Sequence, residues 1–146
     1  DIFQSRVAVL IAAGIGVTPF ASILQSLMHR HRSGTLDGAG VQKVYFLWVN
    51  RDQQAFEWFT ELLADLNRED TGGFFDIRLF LTDPPPGELP PLAQRGRPDL
   101  DAELARITAA HGKDDLGVFF CGPAPLADAL HARCRVLGLK FKEEHF

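Results

Sequence analysis

The chain changes from a strand to a helix within the stretch Ala12-Ala13-Gly14-Ile15-Gly16-Val17-Thr18-Pro19-Phe20. Residues 7–13 are continuously apolar, which predicts a short buried strand, whereas residues 20–28 carry the wider apolar spacing of a helix. The two glycines at the corner can adopt backbone angles that are closed to other residues, and they leave room for a ligand. The stretch therefore predicts a tight strand-to-helix turn.

Phosphate binding is the function that this turn indicates. Gly14 and Gly16 leave backbone N–H groups accessible, Thr18 is the expected N-cap, and Pro19 is expected at the first helical position. The positive end of the helix dipole would then face an anion above the turn. Pro19 replaces the third glycine of the dinucleotide pattern G-x-G-x-x-G, so a tight turn without a ligand remains the alternative.

Length and composition predict one soluble domain that spans residues 1–146. The net charge of -4 argues against a nucleic-acid-binding surface, which needs clustered Lys and Arg. No apolar run approaches the roughly 20 residues of a membrane span, and the first six residues lack the basic and apolar regions of a signal peptide. Cys121 and Cys134 form no C-x-x-C pair, and no histidine has ligand spacing with them. We therefore expect no disulfide framework, no metal site and a reducing compartment.

Strands and helices alternate along the chain. Strands are predicted at residues 7–13, 43–49, 74–81, 116–120 and 139–146, and helices at 20–28, 53–67, 99–111 and 126–137. Alternation of this kind produces right-handed crossovers and a parallel sheet that is covered on both faces. The predicted fold is α/β, a doubly wound, mostly parallel five-stranded sheet with helices on both faces. Ligands bind such sheets beyond the carboxyl ends of the strands.

Polar and glycine-containing segments follow these strands and would share one edge of the sheet. They are Gly14 to Pro19, Asn50-Arg51-Asp52, Thr82 with the loop after it, and Cys121-Gly122-Pro123. An arginine at the end of the second strand suits the 2′-phosphate of NADP, whereas an acid there binds the ribose hydroxyls of NAD. Arg51 therefore favours NADP, and Asp52 as the ribose acid is the alternative.

Two further residues are candidates for ligand contact. Arg97, between Gly96 and Pro98, is a candidate second cation, and its alternative is an exposed loop charge. Cys121 would face a ligand from the end of its strand, although a buried structural cysteine is the commoner case.

Two surface segments have simpler interpretations beside the functional ones. The proline-rich residues 84–91 would either recruit a proline-reading partner or serve as a plain connector. The cluster His29-Arg30-His31-Arg32 would either bind an acidic partner or complement the helix dipole at a helix end.

Taken together, these motifs resemble the NADPH-binding half of the NADPH oxidase dehydrogenase region, in the ferredoxin-NADP reductase-like superfamily. The resemblance covers nearly the whole chain, and residues 50–59 are most similar to the calcium-regulated branch. The motifs, in the expected order, are Gly14 to Ser22, Trp48-Val49-Asn50-Arg51-Asp52, Phe56-Glu57-Trp58-Phe59, Gly96-Arg97-Pro98, Cys121-Gly122-Pro123 and the terminal Phe146.

The resemblance implies a role for each motif. Residues Gly14, Ile15, Gly16, Val17 and Thr18, followed by Pro19, would hold the pyrophosphate of NADPH. Asn50 and Arg51 would bind the 2′-phosphate end, with Arg97 nearby. Catalytic roles fall on Cys121, which with Gly122 and Pro123 borders the nicotinamide, on Phe146, which covers the flavin ring until the nicotinamide arrives, and on Glu144 of the family's terminal motif.

The resemblance also implies a reaction and its partners. Hydride would pass from NADPH to FAD, and single electrons would pass to haems and then to dioxygen, giving superoxide. FAD would be bound mainly by another lobe and haem by a membrane domain of the same protein, with an EF-hand calcium module as a further partner. The domain would lie at the cytosolic face of a membrane, and it would bind NADPH without completing the reaction alone.

Two departures from the family pattern stand out. Glu143 occupies the place of a usual lysine or glutamine, and the connection before Gly96 is short and proline-rich where animal members carry a longer regulatory insert. Two alternatives remain: the nucleotide lobe of a ferric or flavin reductase, and a non-catalytic docking or regulatory lobe.

Overall fold

A computed structural model describes residues 5–14, 17–33, 40–52, 57–70 and 72–143. In chain order the elements are β1 (Val7–Ala13), α1 (Val17–Ser33), β2 (Lys43–Asn50), α2 (Glu57–Glu69), β3 (Phe75–Leu81), β4 (Ala93–Arg95), α3 (Leu100–His111), a single 3₁₀ turn (Lys113–Asp115), β5 (Leu116–Cys121), α4 (Ala124–Leu137) and β6 (Lys140–Glu143). The strand-to-helix corner therefore lies where the sequence predicts it, between β1 and α1.

The strands form one sheet in the order β4-β3-β2-β1-β5-β6, and every neighbouring pair is parallel. This confirms the predicted α/β fold with a parallel sheet. The prediction of five strands is wrong by one, because β4 is a sixth strand at the edge of the sheet. Only three residues long, with the sequence Ala-Gln-Arg, β4 is half-exposed or exposed throughout. It has neither the apolar run nor the alternation that marks a strand in sequence.

Alternate residues of the strands face two separate cores. One core lies beneath α1 and α2, the other beneath α3 and α4, so both faces of the sheet are covered as predicted. On the first face the buried side chains include Leu10, Phe20, Leu24, Phe46, Trp48, Phe59 and Leu63. On the second face they include Val9, Ile11, Leu47, Leu104, Ile107, Phe120 and Leu130.

The helix ends agree with the sequence in part. Asp99 caps α3 by accepting a hydrogen bond from the Ala102 N–H at 3.0 Å, and Gly138 ends α4 in the left-handed conformation with φ 74°. The predicted N-cap role of Thr18 is wrong, because α1 begins at Val17 and Thr18 is its second residue. Pro19 is the third residue rather than the first, which still lies in the turn where an N–H has no helical partner.

Strand order reverses direction at β1. The chain places β2, β3 and β4 on one side of β1, and β5 and β6 on the other. A crevice forms at such a switch point, because the connections leave β1 and β5 toward opposite faces. The C-terminal ends of β1 and β5 are therefore where the fold itself favours a ligand.

Candidate functional site

The predicted ligand segments meet at one edge of the sheet. Ala12 is in register with Cys121, and Ala13 is in register with Val49, so β1, β2 and β5 end side by side. The register continues outward, where Leu81 pairs with Asn50 on one side and with Arg95 on the other. The turn after β1 and the segments after β2, β3, β4 and β5 therefore all emerge at the same edge.

The glycine corner, which is the strand-to-helix turn at residues 14–16, requires glycine at its first position. Gly14 has φ 61°, a left-handed conformation that residues with a side chain rarely adopt, and the space where a Cβ would point is open. The buried indole of Trp48 donates a hydrogen bond from Nε1 to the Gly14 carbonyl at 3.3 Å. A hydrogen bond from β2 thus fixes the backbone at Gly14, and the space on the Cβ side of Gly14 stays open.

The rest of the predicted pyrophosphate segment is described only in part. Ile15 and Gly16 lie outside the described residues, and Val17, Thr18 and Pro19 are described as the backbone of the first turn of α1. The first N–H groups of a helix have no intrahelical acceptor, and this 17-residue helix begins at the C-terminal end of β1. The backbone therefore supplies both open space and positive potential at this corner.

Arg51 follows β2 at the same edge and is largely exposed. Its Nη2 lies 3.2 Å from Oδ2 of Asp83, and 79% of the side-chain surface is accessible to solvent. The Asn50 side chain turns back on the chain, since its Nδ2 donates to the carbonyl of Asp52 at 2.8 Å. Asn50 therefore shapes the loop that carries Arg51.

The loop after β3 continues the pairing beyond the strands. The Thr82 N–H donates to the Asn50 carbonyl at 2.9 Å, and the Asp83 N–H donates to the Arg51 carbonyl at 2.8 Å. The sequence predicts that this loop shares the edge, but it gives no sign that Asp83 is the partner of Arg51. The only feature of the sequence that bears on this pairing is that an acidic residue stands two positions after the third strand.

Arg97 and its neighbour Arg95 have different surroundings. Gly96 has φ 102° and donates its N–H to the Leu81 carbonyl at 2.8 Å, which turns the chain after β4. Arg95 donates from Nη2 to the carbonyls of Pro85 and Gly87, at 3.4 and 2.9 Å. Arg97 is exposed and has no ion pair or side-chain hydrogen bond within the described ranges.

The proline-rich segment is therefore attached to the sheet through Arg95, a contact that the sequence did not indicate. Two of its carbonyls are occupied by one guanidinium. This packing agrees with the interpretation of residues 84–91 as a connector.

The end of β5 approaches β1 closely. A Cβ on Gly122 would lie 2.7 Å from Cζ of Phe120, 3.1 Å from Cβ of Ala13 and 3.3 Å from the Ala13 carbonyl oxygen. Cys121 is half-buried, and Pro123 is extended (φ -64°, ψ 143°) directly before α4, which begins at Ala124, two residues earlier than predicted. Glycine at 122 lets the loop into α4 pass against the end of β1.

The two cysteines differ in burial and in face. Cys134 lies in the core beneath α4, where burial raises the pKa of its thiol to about 11. Such a thiol stays protonated and unreactive near neutral pH. Cys121 packs at the margin of the other core and is half-buried at the strand end, so it is the cysteine with access to the edge.

Glu144 and Phe146, the remaining predicted catalytic residues, lie outside the described residues. β6 runs parallel to β5, and Glu143 is in register with Phe120. The strand that carries the C-terminal residues therefore ends next to the end of β5.

Other features of the described residues lie away from this edge. A groove of about 610 Å³ lies between α1 and α2, and it is lined by Gln25, Met28, His29, Arg32, Ser33, Leu62, Asp65, Leu66 and Glu69. Within the cluster 29–32, His31 stacks on Phe74 and Arg32 pairs with Glu69 at 3.3 Å. These contacts agree with the interpretation of the cluster as a helix end.

The described residues contain neither a metal-binding cluster nor a membrane-spanning helix. No group of three or more His, Cys, Asp or Glu residues there is arranged to hold a metal ion. None of the helices in those ranges has the length and hydropathy of a membrane span.

Solved structures show the same fold. The NAD⁺ form of the CS-b5R domains of human Ncb5or aligns with 96% of this chain and 37% of its own, with a TM-score of 0.71 and 21% identity. The cytochrome b5 reductase domain of Ulva prolifera nitrate reductase aligns with 96% of this chain and 49% of its own, with a TM-score of 0.61 and 16% identity. At these identities the likeness supports the fold alone.

Sequence relatives are NADPH oxidases. Mouse NADPH oxidase 1 is 42% identical over 92% of this chain, and human NADPH oxidase 5, of the calcium-regulated branch, is 34% identical over 99%. A superoxide-generating NADPH oxidase heavy chain of Dictyostelium discoideum is 34% identical over 90%. The chain spans about a quarter of the length of these relatives, 25–29%.

A family profile identifies the family to which the chain belongs. The profile of the ferric reductase NAD-binding domain matches residues 5–87 and 92–135, which include the glycine corner, Arg51 and Cys121. The resemblance to the nucleotide-binding lobe of the NADPH oxidases is thereby confirmed. The chain belongs to the ferric reductase NAD-binding domain family and is related in sequence to the NADPH oxidases.

Proposed function

We propose that residues 1–146 are the NADPH-binding lobe of a larger membrane NADPH oxidase. The family assignment supports nicotinamide-nucleotide binding, and the relatives named NADPH oxidases support the reaction class. The chain covers about a quarter of those relatives, so the lobes that bind FAD and haem would belong to the rest of the protein.

The observation that carries the proposal is the convergence of Gly14, Arg51 and Gly122 at one edge of the sheet. Gly14 offers a left-handed turn with open space above it, and Gly122 admits no side chain. Arg51 places an exposed cation on the neighbouring strand end. A dinucleotide needs a phosphate site and a second anchor on adjacent strands, and Gly14 and Arg51 are the candidates for these two roles.

The phosphate groups of NADPH fit the residues at this edge. The pyrophosphate would bind the turn of Gly14, Ile15, Gly16, Val17 and Thr18, where backbone N–H groups and the α1 dipole favour an anion, and Pro19 follows in a turn that needs no N–H. The 2′-phosphate would bind Arg51 on the loop that Asn50 shapes, because a guanidinium pairs with phosphate through two parallel hydrogen bonds. Arg97, which is exposed at the same edge, would add a second cation.

The nicotinamide end would lie at β5. The ring would be bordered by Cys121, Gly122 and Pro123. Because Gly122 has no side chain, the backbone of this segment can lie close to the end of β1. Phe146 would cover the flavin until the nicotinamide displaces it, and Glu144 would act beside it. β6, which precedes these residues in the chain, is parallel to β5 and ends beside it.

The role of this chain in the reaction is placement. The chemistry that NADPH supplies is hydride donation to FAD, followed in the whole oxidase by single-electron transfer through haem to dioxygen, which yields superoxide. The protein orients the nicotinamide and excludes other geometries, and the cofactor carries the bond changes. The lobe would work at the cytosolic face of a membrane, joined to FAD-binding and haem-binding parts of the same protein, with an EF-hand module as a regulator.

Calorimetric titration with NADP⁺ and NAD⁺ tests nucleotide binding directly. We expect a preference for NADP⁺ that Arg51→Ala abolishes, at a cost of about 1.5–3 kcal/mol for a charge-assisted contact. Arg32→Ala is the matched control, because Arg32 is also an exposed, ion-paired arginine, 62% accessible, but it lies at the end of α1. It should bind both nucleotides as the wild type does.

A folded domain that binds neither nucleotide at millimolar concentration would contradict the proposal and favour the docking or regulatory lobe. The ferric or flavin reductase remains the second candidate, because the matching profile describes a ferric reductase domain. Electron-acceptor assays of the whole protein separate these two, since dioxygen-dependent superoxide formation belongs to the oxidase alone.

A further inference from the structure

The guanidinium proposed to bind the 2′-phosphate already has an anionic neighbour. Oδ2 of Asp83 lies 3.2 Å from Nη2 of Arg51, and the two side chains are 70% and 79% accessible. This contact uses one nitrogen of the guanidinium. The described residues provide no partner for the other two nitrogens. Arg51 therefore keeps donors for a ligand while the carboxylate stays beside it.

The backbone fixes this arrangement. The Asp83 N–H donates to the Arg51 carbonyl at 2.8 Å, one residue beyond the bond from the Thr82 N–H to the Asn50 carbonyl. These two bonds extend the pairing of β2 and β3 past the ends of the strands. The Asp83 carboxylate therefore remains near any phosphate that binds Arg51.

The Asp83 carboxylate beside Arg51 affects the binding of the two nucleotides differently. A 2′-phosphate adds negative charge next to Asp83 and shares the Arg51 guanidinium with it, which weakens binding. A ribose 2′-hydroxyl carries no charge, and it can donate a hydrogen bond to a carboxylate. Asp83 is thus unfavourable for NADP and tolerant of NAD.

We propose that Asp83 is a specificity-determining residue, which limits the preference of this site for a 2′-phosphate over a 2′-hydroxyl by pairing with Arg51. The inference rests on the proposed nucleotide binding and assigns Asp83 a role that the motifs of the chain did not suggest. Asp52 also follows β2, and it is the other carboxylate on which this role would fall.

Titration of the full 146-residue chain with NADP⁺ and NAD⁺ tests the inference. Asp83→Asn should strengthen NADP⁺ binding by about two- to fivefold, as expected for a solvent-exposed charge interaction, and should leave NAD⁺ binding equal or weaker. Asp83→Glu keeps the charge and should retain the wild-type ratio. Glu69→Gln is the matched control: it also removes one negative charge from an exposed arginine pair, at the C-terminal end of α2.

A double mutant separates charge competition from a change in the loop. In an Arg51→Ala background, Asp83→Asn should alter the ratio of the two affinities less than it does in the wild-type background, because the shared guanidinium is gone. Raising the salt concentration should reduce the effect of Asp83→Asn in the wild-type background. Thermal unfolding of each variant checks that the fold is retained.

The outcomes are distinct. An unchanged ratio in Asp83→Asn, an equal shift in Glu69→Gln, or a shift confined to Asp52→Asn would overturn the inference while nucleotide binding itself stands. Failure of the wild-type chain to bind either nucleotide would overturn the proposed function and this inference together.

Discussion

The face of the sheet beneath α1 and α2 is packed with aromatic rings, whereas the face beneath α3 carries ion pairs beside a mainly aliphatic core. On the first face, Phe46 packs edge-on against Phe59, and Phe59 against Trp48, at centroid distances of 5.8 and 5.4 Å. On the second, Glu103 of α3 contacts Arg106 at 2.7 Å and Arg78 of β3 at 3.4 Å. The strands are the same, so the difference arises from which alternate residues face each side.

Two aromatic residues of β2 show what this difference means for the site. Trp48 faces α1 and α2, and its indole N–H reaches the Gly14 carbonyl at the ligand edge. Tyr45 faces α3, and its hydroxyl lies 2.7 Å from Nε2 of His111, at the far end of that helix. Packing on the first face is therefore coupled to the glycine corner, while the polar contacts of the second face are coupled to the opposite edge.

The ion pairs of the second face are partly exposed and contribute little stability individually. Arg78 and Arg106 are 39% and 40% accessible, so water screens their contacts. The hydrogen bond to Glu103 raises the pKa of Arg106 above its ordinary value. An arginine whose pKa is raised on folding contributes its full stabilisation at every pH below its pKa in the unfolded chain. We therefore expect the free energy of unfolding to show no pH dependence from this pair near neutrality.

Removal of the Trp48 ring has the largest expected effect. Trp48 is fully buried, and Trp48→Ala should lower the free energy of unfolding by about 3–5 kcal/mol through lost contacts and a cavity. It should also weaken NADP⁺ binding, because the Gly14 carbonyl loses its donor. Urea denaturation and calorimetry measure the two effects.

Trp48→Phe distinguishes the ring from the hydrogen bond. Phenylalanine keeps an aromatic ring against Phe59 but cannot donate to Gly14, so it should retain more stability than Trp48→Ala. A Trp48→Ala variant that binds NADP⁺ as tightly as the wild type would contradict the coupling between this face and the corner.

An intermediate effect is expected at Gly122, where the second face meets the site. A Cβ there would lie 2.7 Å from the ring of Phe120 and 3.1 Å from Cβ of Ala13, and both neighbours are buried. Gly122→Ala should therefore cost about 1–3 kcal/mol of unfolding free energy, as overpacking does, and should weaken nucleotide binding.

Gly72→Ala is the matched control for Gly122→Ala, since a Cβ at Gly72 meets nothing within 4 Å. Its unfolding free energy should stay within about 0.5 kcal/mol of the wild type. Equal costs at the two glycines would contradict this prediction, because only Gly122 of the two has close neighbours at its Cβ position.

Most of the fold could be predicted from the sequence, because its strands are apolar and its helices amphipathic. The bounds of β1 were predicted without error, and α3 and α4 were predicted to within two residues. β4 was missed because the carbonyls and N–H groups of β3, rather than any apolar pattern, stabilise a three-residue polar strand. Thr18 was misplaced because capping residues also occur within the first turn, where the sequence alone does not fix the boundary.

The candidate site was predictable as a set of strand ends but not as a set of contacts. Parallel topology brings Gly14, Arg51 and Cys121 to one edge, and the alternation of strands and helices along the chain is enough to predict this placement. The pairing of Arg51 with Asp83 and the attachment of residues 85 and 87 to Arg95 depend on loop geometry that leaves no periodic signal. The roles of Glu144 and Phe146 stay predictions.

The smallest effect is expected at Tyr45, on the face that is not coupled to the corner. Tyr45→Phe removes the hydroxyl that contacts His111 but keeps the ring, over which the Arg106 guanidinium lies at 5.7 Å. Because half-buried His111 can bond to water instead, the loss should be about 0.5–1.5 kcal/mol of unfolding free energy.

NADP⁺ affinity should be unchanged in Tyr45→Phe, because the lost bond lies at the end of α3 and at the start of β2, remote from the strand C-termini. Urea denaturation and calorimetry on one preparation give both values. A weakened NADP⁺ affinity in a variant that is stable to within about 1 kcal/mol would show that the second face also supports the nucleotide edge. The different costs of Trp48→Ala and Tyr45→Phe would then reflect only how much of each side chain is removed, because both residues are buried and both faces would be coupled to the site.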